Sequence, residues 1–114
     1  MIRYESLSLT IGIFRFYEIE TTDPFAPYHA VCTIVFANDK RTEVDIKAMC
    51  GKITLRDLIK LAAWMYTNGV RKVYADRAGG KRLPMFTTEE DRQVTYPSDW
   101  NARFGLPKYS PIGD

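Results

Sequence analysis

The sequence predicts an α/β protein of the α+β kind: an antiparallel meander, a strand–helix–strand unit with one main helix packed on a central sheet, and an irregular C-terminal third. Three observations carry this reading. Residues 2–20 and 28–37 are dominated by β-branched and aromatic side chains, the composition of strands. Residues 55–68 space their apolar side chains at helical period between a capping signal and an Asn-Gly stop. Beyond residue 77 the periodicity decays, and Pro84, Pro97, Pro107 and Pro111 punctuate the chain.

A chain of 114 residues, 46% hydrophobic and 26% charged, has the size and composition of one soluble globular domain. We read that domain as residues 1–105 and residues 106–114 as a C-terminal arm, poor in apolar side chains and ordered only against a partner.

In the first segment Leu7, Leu9, Ile11 and Ile13 alternate cleanly. Phe14, Phe16 and Glu18 then compete with Arg15, Tyr17 and Ile19 for the inner face. Gly12 sits where the phase becomes ambiguous, which suggests a bulge or a tight bend. The segment is either one long bent strand or two short paired ones. Pro24 and Pro27 make the following loop. Residues 28–37, apolar on both faces apart from His29 and Thr33, read as a central strand covered above and below. Asn38-Asp39 supplies a hairpin turn.

The next strand alternates strictly, with Val44, Ile46 and Ala48 inward and Glu43, Asp45 and Lys47 on a wet face. Thr54 is a good helix N-cap, and Asp57 stands three residues on in capping-box position. Leu55, Leu58, Ile59, Ala62, Met65 and Tyr66 form the buried stripe, broadened by Leu61 and Trp64. Gly69 is free to take the left-handed C′ conformation, with Val70 placed for the usual apolar contact. Residues 70–76 then re-enter the sheet. Residues 86–96 make a loose hairpin or a single helical turn. Ser98 caps a short helix over 99–104 that docks through Trp100 and Phe104.

No apolar run approaches the roughly 20 residues that span a bilayer, and residues 1–12 alternate where a signal peptide has a continuous apolar stretch. Cys32 and Cys50 read as free thiols of a cytoplasmic protein. With one His and no Cys-x-x-Cys pair, no metal site is expected.

The inventory for catalysis is short. His29 reads as a structural side chain before it reads as a general base. Cys50 lies near a helix N-terminus, where a thiolate is favoured, and His29 is the one imidazole able to serve it. Glu43 or Asp45 is the candidate base for an amine acceptor, although three alternating charges are ordinarily the wet side of a strand. Charge is unevenly spread. Residues 1–50 carry 5 basic and 7 acidic side chains, and residues 51–114 carry 11 and 7. The densest basic stretch is 71–82, where Arg71, Lys72, Arg77, Lys81 and Arg82 meet only Asp76. Such a patch suits a phosphate backbone or an acidic protein surface. Trp64, Trp100 and Tyr109 add the aromatic side chains that protein interfaces favour.

The order strand, turn, helix, strand after an antiparallel meander resembles the core of the GNAT N-acetyltransferase fold. The residues TEVDIKAMCGKITLRDLIKLAAWMYTNGVRKVYADRA carry it. The phrase LAAWMYTNGVRKVYADRAGGKRLP is similar to short GNAT-like proteins encoded by tailed bacteriophages. The resemblance implies an acetyl-CoA site, in which a loop of the type Arg/Gln-x-x-Gly-x-Gly/Ala holds the pyrophosphate on backbone N–H groups. At that place this chain has Gly51, Lys52 and the Thr54 helix start, a minimal anion site with one glycine. Two functions follow: a binding or structural module on a reduced GNAT-like scaffold within a protein assembly (a partner protein or a homo-oligomer, in a phage virion or at a host protein), or a minimal acetyl-CoA-dependent N-acetyltransferase. A nucleic-acid binder using residues 71–82 is the third reading.

Overall fold

A computed structural model describes residues 1–76, 83–90 and 92–104, the last four of these by backbone alone. It is mixed α+β. Strands β1 (Ile2–Ser6), β2 (Ile11–Phe16), β3 (Ala30–Phe36) and β4 (Glu43–Gly51) form the antiparallel meander. Helix α1 (Leu55–Thr67) crosses to β5 (Lys72–Asp76), which lies parallel to β4. Strands β6 (Thr87–Glu89) and β7 (Arg92–Thr95) form a hairpin, and helix α2 (Pro97–Phe104) follows. The sheet order is β1-β2-β3-β4-β5-β7-β6.

Both helices sit on one face of the sheet, where Leu58, Leu61, Ala62, Met65 and Trp100 pack on Phe14, Ile34, Val44 and Val73. Strand β3 therefore alternates between buried and half-exposed residues. Its second apolar face has no helix over it among the described residues, so the expectation of cover on both sides is corrected.

The first segment is two paired strands. Leu7 and Leu9 fall in the turn between them, at 56% and 86% exposure. Register passes Gly12 without a break. That glycine makes room instead, since a Cβ there would stand 2.3 Å from the Tyr4 ring. The bulge lies elsewhere, in β4. Ile46 pairs with Ile34, but Ala48 pairs with Thr33, which leaves Lys47 as the extra residue. The extra residue inverts the alternation. Ala48 and Cys50 become exposed, and Met49 turns to the side that Ala48 was expected to occupy. In the β3–β4 turn the positive φ falls at Arg41 (56°) rather than at Asn38 or Asp39. Asn38 contributes its side chain, whose Oδ1 accepts from the Thr42 N–H at 3.0 Å.

Helix α1 is capped as its sequence requires. The Asp57 N–H donates to Thr54 Oγ1 at 3.2 Å, and the Thr54 N–H donates to Asp57 Oδ2 at 3.0 Å. At the other end Gly69 takes φ 85°, the Val70 N–H donates to Met65 O at 2.9 Å, and the Gly69 N–H donates to Tyr66 O at 3.2 Å. This is a Schellman closure, with Val70 fully buried. The buried stripe is rotated from the expected one. Leu55 is 48% exposed and Ile59 and Tyr66 are half-buried, whereas Asp57 and Leu61 are buried. Helix α2 begins at Pro97, so Ser98 lies inside the first turn rather than capping it. No helix among the described residues is long and apolar enough to cross a membrane. The arm expected at 106–114 lies outside the described residues.

Candidate functional site

The bulge at Lys47 marks the place where the parallel pair opens. Strands β4 and β5 pair from Glu43–Lys72 to Ile46–Ala75 and no further, while β4 continues against β3 to Gly51. A bulge bends its strand and strengthens the local twist, which turns the C-terminal half of β4 away from β5. Between them lies a cleft of about 590 Å³, lined by residues that include Lys47, Met49, Gly51, Ile53, Leu83 and Gln93. It stands at the carboxyl ends of two parallel strands beside the start of α1, the usual position of a ligand crevice in α/β sheets. Gln93, 2% exposed, accepts the Leu83 N–H on its side-chain oxygen at 2.5 Å and so fixes the far wall.

Along the near wall, β4 shows a backbone edge that is open among the described residues. The Lys52 N–H donates to His29 O at 3.3 Å, towards β3. Because successive peptide groups of a strand alternate in direction, the N–H and C=O of Met49 and Gly51 face the other way. No described strand pairs with them on that side.

Two of the three backbone donors of the minimal anion site, those of Lys52 and Thr54, are otherwise engaged. Gly51 has φ 90°, and a Cβ there would stand 2.3 Å from the His29 carbonyl oxygen and 2.8 Å from Ala30 Cα. The glycine is thus required by the close approach of β3, whatever binds nearby. The Lys52 N–H goes to β3 and the Thr54 N–H to Asp57. The carboxylate already at the helix start is the protein's own.

That carboxylate also organises His29. A carboxylate only accepts, so the His29 Nε2–H donates to Asp57 Oδ2, at 2.7 Å. Burial alone would raise the Asp57 carboxyl; the hydrogen bonds from His29 and from Thr54 together outweigh it and hold the group below its ordinary value of 3.8. Among the described residues the buried His29 Nδ1 has no partner, so Cys50, exposed at the end of β4, is not paired with it. The Cys50–His29 arrangement considered for nucleophilic chemistry does not form.

Glu43 and Asp45 are taken up by their own sheet face. The Tyr74 hydroxyl donates to Glu43 Oε1 at 2.9 Å. Asp45 pairs with Arg92, whose Nε also stands 3.7 Å from Asp76. The Arg92 guanidinium lies 4.6 Å from the centre of the Tyr74 ring, with Lys72 Nζ 5.1 Å from the same centre. A general base at either acid would first have to leave these contacts.

The residues expected to meet a partner divide into two sets. Trp100 is buried against Phe86, its indole N–H donating to Thr95 Oγ1 at 2.6 Å. Trp64 is half-buried, with its ring centre 4.5 Å from Tyr4 and 4.8 Å from Phe14. Both indoles serve the packing, Trp100 buried and Trp64 with part of its surface still exposed. Arg71 is exposed, 5.4 Å from the Tyr66 ring centre, and Lys72 is half-exposed between Tyr74 and Tyr96. Arg77, Lys81, Arg82 and Tyr109 lie outside the described residues.

Sequence reasoning missed the cleft, its Met49, Leu83 and Gln93 lining, and the His29–Asp57 pair. The pair joins positions 28 apart in the chain, and no local pattern announces it. Compared with family models, with curated proteins and with solved structures, the chain finds no match.

Proposed function

We propose that this chain is a binding module on a reduced GNAT-like scaffold, acting within a protein assembly. One observation carries the choice over a transferase: two of the backbone donors that a coenzyme pyrophosphate would use at the β4–α1 turn, those of Thr54 and Lys52, already serve Asp57 and His29. A second supports a protein partner. Phe25 (91% exposed), Ile19 (72%) and Tyr28 (50%) stand out on the surface. Phe25 and Tyr28, with Arg3, Arg15 and Tyr17, line a second concavity of about 530 Å³. Aromatic side chains beside arginine are the usual material of interface anchors. The resemblance to phage-encoded proteins suggests a virion or a host protein as the setting, with the chain made in a cytoplasm.

The acetyl-CoA-dependent N-acetyltransferase is the second reading. The order of meander, β4, α1 and parallel β5, and a cleft at the carboxyl ends of the parallel strands, favour it. A thermal-shift titration separates the two. A binding module keeps its melting temperature at millimolar acetyl-CoA, whereas a ligand at 100 times its Kd adds about 2.7 kcal/mol of stability. Light scattering after size exclusion tests the assembly, and a strict monomer that captures no partner overturns it. The nucleic-acid reading rests on residues 71–82. It predicts a gel retardation of DNA that fades steeply with salt.

A further inference from the structure

We infer that the edge of β4 at Met49–Gly51, which no described strand pairs, is a strand-addition site, which takes an extended peptide carrying acidic side chains into the β4–β5 cleft. The inference rests on the binding-module reading and names how that module holds its partner. Unpaired strand edges are templates for another chain. An added strand draws affinity from backbone hydrogen bonds and selectivity from pockets at alternate side chains. Met49 and Gly51 present their N–H and C=O groups to the cleft, and the space beside them is wide enough because β5 has already diverged. Ile53, Leu83 and Met49 offer apolar contact for every second side chain of an incoming strand.

Charge decides the kind of peptide. Lys47, exposed on the bulge, lines the cleft, and Lys52 follows at the end of the same strand. Among the described residues neither ammonium has an ion-pair partner. Among the described residues the carboxylate in the cleft wall is that of Asp76, which already faces Arg92. Among the described residues, an acidic strand meets the unpaired Lys47 ammonium in the cleft wall, with Lys52 next in sequence to the lining Gly51 and Ile53.

The test uses the full chain and a defined probe, a capped peptide of alternating glutamate and valine, followed by amide exchange and NMR shifts. In the free protein the Met49 and Gly51 amides exchange fast. Saturating probe should slow both, and a twin peptide N-methylated at alternate residues should lose the effect. Lys47→Glu, at an exposed position, should weaken the probe about tenfold while leaving the fold intact. Equal binding of the N-methylated twin overturns strand addition, because side chains alone would then account for binding. Slow exchange of both amides in the free protein overturns it as well. A parallel titration with acetyl-CoA separates the two levels of the argument. Protection of these amides by the coenzyme and not by the peptide removes the binding-module reading itself. Protection by neither, in a protein that still assembles by light scattering, removes only the strand-addition mode.

Discussion

His29 and Asp57 meet at 2.7 Å, Nε2 to Oδ2, and this contact ties the lead-in of β3 to the first turn of α1. The same carboxylate oxygen receives the Thr54 N–H. One buried group thus closes the capping box and joins helix to sheet. Replacing His29 by Ala leaves Asp57 buried with one donor fewer. The expected loss is about 2–3 kcal/mol, since removing one partner of a buried pair strands the other charge. Chemical unfolding of His29→Ala, Asp57→Ala and the double variant checks this. The double variant should lose clearly less than the sum of the singles.

Acid should undo the same contact. The Asp57 carboxyl is held below 3.8 in the folded protein. A carboxyl depressed on folding contributes stability that is complete above its unfolded value and drains away as pH falls through the lower folded value. The stability difference between the wild type and Asp57→Asn should therefore be flat from neutrality to about pH 5, then shrink below the carboxyl's ordinary range. A difference that grew on acidification would refute the assignment.

Gly51 and Gly69 share a left-handed backbone, with φ of 90° and 85°, but not the same surroundings. A Cβ at Gly69 meets nothing within 4 Å, whereas at Gly51 it would stand 2.3 Å from a backbone carbonyl. Gly69→Ala should cost about 1 kcal/mol, from the backbone alone. Gly51→Ala should cost more, about 2–4 kcal/mol, because β3 and β4 must separate to admit the methyl group. Thermal melts of the two variants measure the order.

The two thiols should differ as sharply. Cys32 is fully buried, and burial pushes its thiol up to about 12. Cys50 is exposed. One equivalent of iodoacetamide should enter the native protein at neutral pH, at Cys50, and a second only on unfolding. Mass spectrometry of the digested protein locates both.

The rotated stripe of α1 gives a further contrast. Leu61→Ala, at 4% exposure, should cost about 2–4 kcal/mol, and Leu55→Ala, at 48%, less than about 1 kcal/mol. A helix that buried Leu55 and exposed Leu61 would reverse that order.

Much of this architecture is written locally. The caps of α1, the Schellman closure at Gly69 and the alternation of β4 through Val44 and Ile46 all depend on neighbours within a few residues. Thr54 and Asp57, or Met65, Gly69 and Val70, satisfy each other without help from the rest of the chain. The sequence by itself therefore determined the fold class, the helix ends and the strand–helix–strand unit. What it could not carry were relations between distant segments. An extra residue at Lys47 becomes a bulge only because Thr33 and Ile34 choose their partners across the sheet. Once it does, Ala48 and Met49 exchange faces, β4 parts from β5 and a cleft opens. Trp100 looks like an anchor until Phe86 and Thr95 surround it, and Asp57 is an ordinary capping residue until His29 arrives from 28 positions away. Capping and periodicity are short-range and fixed by backbone geometry. Register, burial and charge pairing are decided by which surfaces the folded chain brings together, and the candidate site is made of those.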